Sequence, residues 1–404
     1  MTDLKRRRLL REVSLTGMCT HPVRLTGEAL NVVTGEVIPR QFRVACKDRR
    51  QSVCTACADR YETDAWIIVA AGMNGGKGVP DSVASAPRVF VTVTAPSFGA
   101  VHRIHDRGVC VAHNGLDEFC PHGLPRWCSA RHKRLDLEVG SPLCEECFDA
   151  PGVILWNAHA SKLWSITVQE ARRNLAETIG ISRKHLGEVA QLHYVKVAEL
   201  QQRGLVHFHA LFRFDTDRIG SVEDVVLALQ GAISTAVVRE GHGVYRWGRV
   251  FDVQDLGGSI GDARSVASYL AKYVTKTAGG SLELASRFHN RRQIASRVSD
   301  SLLQRLALEA WDMGLERSAN TLGYAGQFIT KSRGYSTSFG KLRSARAAYW
   351  KSERDTEEVI VSYVYGGRGY DDPRASELAD VMARLERDCR IQVRRELKER
   401  REDA

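Results

Sequence analysis

His207 and His209 stand two residues apart in VHFHALFRF (206 to 214), alternating with apolar residues in the manner of a strand. Residues i and i+2 of a strand point the same way, about 6.6 Å apart, so both imidazoles can address one ion. The preceding run QLHYVKVAEL is also strand-like, and the polar turn that follows, containing Gly204, makes the two runs a hairpin. A turn around position 203 sets Glu199 opposite His207 on the neighbouring strand. Two imidazoles and a carboxylate leave room for water or substrate oxygens, which suits a catalytic metal rather than a closed structural one. Mg²⁺ or Mn²⁺ acting on a phosphodiester fits that donor set, with histidine ligation tilting the choice toward Mn²⁺. The competing reading is a pair of partly buried histidines that are merely hydrogen-bonded.

A second reactive set lies in SYLAKYVTK (268 to 276). At the helical repeat, Tyr269, Lys272, Tyr273 and Lys276 share one stripe, so two phenols and two ammoniums face the same way. A free tyrosine, with a pKa of about 10, is a poor nucleophile at neutral pH. Neighbouring lysines and a metal-polarised phosphate lower the cost of developing phenolate. Attack on DNA would leave a 5'-phosphotyrosine and a 3'-OH, and a second tyrosine could make a second cleavage while the first holds its strand. The alternative is an aromatic stripe packed on a sheet, with the lysines reaching outward.

Ten cysteines raise a separate question. Cys54 and Cys57 form one C-x2-C pair, and Cys144 and Cys147 another, each with the bite of two tetrahedral zinc ligands. Cys19 and Cys46 are the expected completion of the first site. Cys120 and Cys128 are expected to complete the second, with His122, His132 and Cys110 as competitors. Full ligation leaves no open position, so the zinc would be structural, folding segments with no evident apolar core.

These residues need elements to hold them. RVFVTVTAP from position 88 reads as a strand stopped by Pro96, and 156 to 180 and 221 to 238 read as helices. A further strand is expected in YRWGRVFDVQDL, and a helix begins near 262. Together these predict a compact α+β domain over 86–280, two helices crossing an antiparallel sheet, with a zinc-binding insert at about 105–150. An irregular cysteine-rich segment (1–85) precedes it. A basic extension (281–373) and a charged C-terminal helix (374–404) follow.

The Gly-rich AGMNGGKGVP reads as a linker: Ala71 stands where a phosphate-binding loop needs its first glycine, and Gly78 follows Lys77. With 404 residues, 58 Lys and Arg against 48 Asp and Glu, and a net charge of +10, the chain favours an anionic partner. Basic residues crowd 5–8, 287–292 and 331–346, and in the last Lys331, Arg333 and Tyr335 are the expected DNA contacts, with a solvated basic loop as the alternative. The N-terminus lacks the apolar core of a signal peptide, and no apolar run is long enough to span a membrane. A cytoplasmic protein is the expectation, which favours metal over disulfides for the cysteines.

VFVTVTAP, then E-x7-HFH, then YLAKYVTK resemble, in that order, the three motifs of the HUH-type rolling-circle replication initiators and relaxases. More closely, CPHG, GSPLCEECFDAPGVILWNAHASKLW, ELQQRGLVHFHALFR, VASYLAKYVTK and GYAGQFITKSRGYSTSFGKLR resemble the replication initiators of actinobacterial plasmids and integrative elements, over about residues 17 to 370. The resemblance implies a five-stranded antiparallel sheet with flanking helices, related to ferredoxin-like folds. It implies Glu199, His207 and His209 as metal ligands and Tyr269 and Tyr273 as nucleophiles, in an order left open. It also implies nicking of one strand at a double-strand origin, priming from the 3'-OH and rejoining of the displaced strand. Because a tyrosine aimed at one phosphate needs accessible single strand, the expected substrate is an origin hairpin or locally melted segment. Without a phosphate-binding loop in the chain, the helicase is expected from the host, alongside other host replication proteins. A conjugative relaxase or single-strand transposase would use the same chemistry, and a non-enzymatic zinc-containing DNA-binding regulator would explain only the charge and the cysteines.

Overall fold

The computed structural model describes residues 3–402 apart from 106–107, 114, 116–117, 134–135, 137, 216–220, 257–265, 272–283, 285–286 and 353–357. The chain divides into two compact units, Met1–Ile68 with Thr337–Ala404, and Val69–Ser336.

The first unit contains α1 (Asp3–Leu15), β1 (Val23–Asn31), β2 (Val37–Val44), α2 (Thr55–Asn74, counted here up to Ile68), α9 (Phe339–Ser352), β10 (Glu358–Arg368) and α10 (Pro373–Glu402). Its sheet has the order β10-β1-β2 and is antiparallel throughout. The N-terminal stretch, read from sequence as irregular, therefore supplies ordered strands and helices. Its strand β1 is completed by a partner at the far end of the chain, Ala29 lying opposite Ile360. Apolar packing here is thin: Leu9 and Val13 of α1 meet Ala375 and Ala379 of α10. Two buried carboxylates add ion pairs, Asp64 with Arg346 at 2.6 Å and Asp59 with Arg387 and Arg390. Of the Gly-rich stretch expected as a linker, residues 71–74 instead complete α2, and Gly75, Gly76 and Gly78 follow in the left-handed region (φ +83°, +86° and +83°) that side chains avoid.

The second unit is built on a five-stranded antiparallel sheet flanked by helices. It holds β3 (Arg88–Val93), α3 (Ala150–Thr178), α4 (Leu186–Val189), β4 (Gln191–Leu200), β5 (Val206–Asp215), α5 (Val222–Thr235), β6 (Val238–Glu240), β7 (Gly243–Tyr245), β8 (Phe251–Asp255), helical residues 266 to 271 (α6), α7 (Arg291–Arg297), α8 (Ser301–Asp312) and β9 (Ile329–Lys331). The strand order β8-β3-β5-β4-β9 puts the β4–β5 hairpin at the centre.

Strand alternation divides the residues of the sheet between its faces. Val89, Val91, Val93, Phe208 and Phe212 belong to the main core, together with Val153, Trp156, Leu163, Trp164 and Leu175 of α3. That helix starts on Asp149, whose carboxylate accepts from the Gly152 amide. Asn157 of α3 is fully buried and uses both ends of its amide: Nδ2 donates to the Gly204 and Leu322 carbonyls, each at 2.8 Å, and Oδ1 accepts from Val206 N at 2.9 Å. These bonds fasten the hairpin turn and the first residue of β5 to the helix.

Lys196 of β4 is buried on the core side, its Nζ 3.8 Å from the Phe208 ring centre and donating to Tyr324 Oη at 3.2 Å. Burial pushes this ammonium down to about 7. A lysine whose folded-state pKa is depressed binds fewer protons folded than unfolded, so stability rises with pH between the two values. Relative to Lys196→Met, the wild type is expected to gain stability by up to about 1.4 kcal/mol per pH unit from about pH 7 to about pH 10, read by denaturant unfolding across that range. A constant difference between the two proteins would refute the assignment.

Candidate active site and metal clusters

The β4–β5 register places Glu199 opposite His207 and Val197 opposite His209, the pairing expected from the hairpin. His209 also lies opposite Thr92 of β3, so the central three strands converge on its ring. His209 Nδ1 is 3.1 Å from Thr92 Oγ1, and with Nδ1–H donating there, Nε2 keeps its lone pair. That Nε2 lies 3.7 Å from Glu199 Oε2 and 3.5 Å from the Tyr269 hydroxyl. The two histidine rings are 4.5 Å apart. Phe90 stacks on His209 and meets the Tyr269 ring edge-on, so an aromatic wall fixes both.

Both histidines are buried, whereas Tyr269 is 40% exposed. Burial first, then the neighbouring His209 and Arg203, pushes His207 down to about 3, which keeps it in the neutral form that binds metals. Gln201 links the turn to this ring: Arg203 Nε donates to Gln201 Oε1 at 3.0 Å, and Gln201 Nε2 lies 3.4 Å from His207 Nδ1. Thr92, Phe90 and Gln201 were not singled out from sequence. The parity of VFVTVT, which puts Phe90 and Thr92 on one face, was the available signal.

Glu199, His207, His209 and Tyr269 are thus brought together. Their donor types suit Mn²⁺ or Mg²⁺, but they are not one of the groups whose donor atoms all lie within 4.8 Å of one another among the described residues. Lys272, Tyr273 and Lys276 lie outside the described residues.

Three Cys/His groups do meet that spacing. In the first unit Cys19, Cys46, Cys54 and Cys57 gather as expected, with Cys46 and Cys57 sulfurs 3.6 Å apart and Cys54 and Cys19 sulfurs 3.9 Å apart. Sulfurs around a tetrahedral zinc stand about 3.8 Å apart, so the set fits the ion. Backbone amides of Cys46 and Asp48 point at the Cys19 and Cys46 sulfurs, favouring thiolate.

The second expected set needs correction. Cys120, Cys144 and Cys147 take His122 as their fourth member, its Nδ1 lying 4.0, 3.6 and 3.3 Å from the three sulfurs. Cys128 is instead grouped with His102, Cys110 and His132. The physical reason is local: Cys120 accepts Gly123 N at its carbonyl and donates its own N–H to Leu124 O, a tight turn that carries His122 beside it. Cys128 pairs with Val111 in a separate bridge.

The expected DNA contacts divide as well. Arg333 is exposed and Lys331 half-buried at the edge strand β9, where Lys331 Nζ donates to the Ser332 and Arg333 carbonyls. Tyr335 is fully buried and cannot offer its ring to a base: its hydroxyl donates to Val69 O at 3.1 Å. Gly72 makes that possible, since a Cβ there would come within 2.2 Å of the ring. Arg213, also buried, donates to the Tyr335 carbonyl and forms a two-point pair with Asp215 at 2.7 Å.

An α+β unit with a five-stranded antiparallel sheet, Cys/His zinc-binding clusters and a His, carboxylate and tyrosine constellation is the class that fold and site define. The chain belongs to the RepSA family of replication initiator proteins, pSAM2 type, whose family model matches residues 5–384. It is similar to a replication initiator protein of Streptomyces ambofaciens, with 34% identity over 420 residues, covering 92% of this chain and 86% of that one. No solved structure matches it. Among the described residues no helix is long and apolar enough to cross a membrane.

Tyr335→Phe is expected to cost about 1 kcal/mol of stability through the lost hydrogen bond, while leaving affinity for single-stranded DNA unchanged. Thermal unfolding and fluorescence anisotropy check the two halves, and a weakened affinity with intact stability would restore Tyr335 as a DNA contact.

Proposed function

We propose that this initiator is itself the origin nickase, a metal-dependent, tyrosine-linked endonuclease and strand transferase of the HUH type. The observation that carries the reading is the placement of the Tyr269 hydroxyl 3.5 Å from His209 Nε2, in the same row as Glu199 and His207. Tyr269 is the described nucleophile candidate, and at 40% exposure the residue is open to a substrate from solvent. Glu199, His207 and His209 would hold Mn²⁺ or Mg²⁺, which when bound polarises the scissile phosphate and offsets charge in the transition state.

The phenol loses its proton as its oxygen bonds to phosphorus, the P–O3' bond breaks, and the leaving strand takes a proton as a 3'-OH. The other strand end remains as a 5'-phosphotyrosine ester, so the bond energy is kept for rejoining. Phe90 and His209 hold the Tyr269 ring against swinging, and Thr92 orients His209. Tyr273 is the proposed second nucleophile, with Lys272 and Lys276 easing phenolate formation. Lys331 and Arg333 are proposed backbone contacts to single-stranded or hairpin origin DNA. The 3'-OH would prime leading-strand synthesis, with strand separation left to a host helicase and the host replication proteins.

With Mn²⁺ or Mg²⁺, a 3'-labelled single-stranded oligonucleotide carrying the cognate origin should become covalently attached to the protein on a denaturing gel. Tyr269→Phe with Tyr273→Phe should lower the adduct by at least about 100-fold, and the single variants should rank the two tyrosines. A wild type that binds the origin yet forms no adduct with either metal would contradict the reading.

A further inference from the structure

Eight of the ten Cys and His residues between β3 and α3 fall into four pairs along the chain: His102 and Cys110, Cys120 and His122, Cys128 and His132, Cys144 and Cys147. The first and third pairs gather at one point and the second and fourth at another. We propose that this insert is a cross-braced two-zinc module, with His102, Cys110, Cys128 and His132 as a closed zinc site of its own beside Cys120, His122, Cys144 and Cys147. The protein then holds three structural zinc ions, one for each of the three Cys/His groups found among the described residues.

The geometry of the additional site is that of a tetrahedral ion. His102 Nδ1 and His132 Nε2 are 3.1 Å apart, Cys110 Sγ is 3.8 Å from His102 Nδ1, and Cys128 Sγ is 3.5 Å from His132 Nε2. Zinc bonds of about 2.0 Å to nitrogen and about 2.3 Å to sulfur place tetrahedral ligands about 3.3 Å apart for two nitrogens and about 3.6 Å apart for sulfur and nitrogen. The rest of the His132 ring is already committed. His132 Nδ1 lies 3.5 Å from Asp136 and 3.6 Å from Glu138, which directs its N–H to carboxylate and leaves Nε2 for the ion. The Arg103 amide points at Cys110 Sγ from 3.2 Å, as donors to a thiolate do. Cys110 and His132 are buried, and no disulfide competes for either cysteine.

The insert has little else to fold it. Its described residues from 100 to 148 form turns and isolated bridges, Val101 with Pro142, Val111 with Cys128 and Phe119 with Pro125, and no helix or strand. Its contribution to the main core is confined to Phe148 and a partly buried Val101. Two interleaved ions would supply what packing does not, because each ion closes a loop that contains a ligand pair of the other.

The module also abuts the catalytic hairpin. Gly140 adopts φ +94°, and a Cβ there would fall 2.7 Å from the Gln202 side chain in the β4–β5 turn, next to the Gln201 that touches His207. Interlocked zinc would therefore position that turn.

Native mass spectrometry of the full-length protein, purified without chelator, is expected to find three zinc ions per chain, matching the three groups. The Cys110→Ser, Cys128→Ser double variant should hold fewer, and because the braces interlock it should lose the partner ion too, leaving the ion of the first unit. A wild-type count of two, which does not depend on any variant folding, overturns the proposal, as does a double variant that retains all the zinc of the wild type.

Discussion

Everything the candidate active-site face offers depends on the register of β4 against β5. A slip of one residue would send His207 and His209 into the core and turn Phe208 and Phe212 outward, because side chains alternate with a period of two. Two independent features prevent that slip. Large aromatic rings on the core side pack against α3, and Asn157 fixes the turn by bonding to Gly204 and Val206. The buried amide is fully satisfied, so it specifies one register without the cost of an unpaired polar group. Glu199 faces His207 as a consequence, and Thr92 of the next strand reaches His209.

The same economy of core explains the cysteines. In the first unit a few alanines, Leu9 and Val13 make the apolar contact between terminal helices, and a four-cysteine cluster sits under the start of α2. In the second unit the core is large, but the insert between β3 and α3 lies almost wholly outside it. Zinc-binding clusters occur where apolar burial is scarce. Their thiolates and imidazoles form closed sets, unlike the open carboxylate and histidine set on the hairpin.

The sequence made the hairpin legible because strand period, turn chemistry and reactive residue types all coincide in QLHYVKVAELQQRGLVHFHALFRF. The α+β class and the long helix after the insert followed from ordinary periodicity. The ligand partition of the insert did not: Cys128 and His122 could trade places in a loop-rich segment where no periodic signal ties a residue to its partner. Tyr335 misled for a related reason. SRGYSTS is polar enough to read as a surface loop, yet Gly72, distant in sequence, opens the space that buries the ring. The N-terminal segment seemed irregular because its strand β1 finds its partner β10 only near the other end of the chain. Lys272, Tyr273 and Lys276 rest on helical periodicity and the family resemblance alone.

The central claim, that Glu199, His207 and His209 form a divalent-ion site separate from the zinc clusters, is tested most directly by Mn²⁺ binding to zinc-loaded protein, followed by electron paramagnetic resonance. The account predicts one Mn²⁺ per chain, lost in His207→Ala with His209→Ala while the zinc content stays unchanged. Equal Mn²⁺ binding by that variant and the wild type would contradict it.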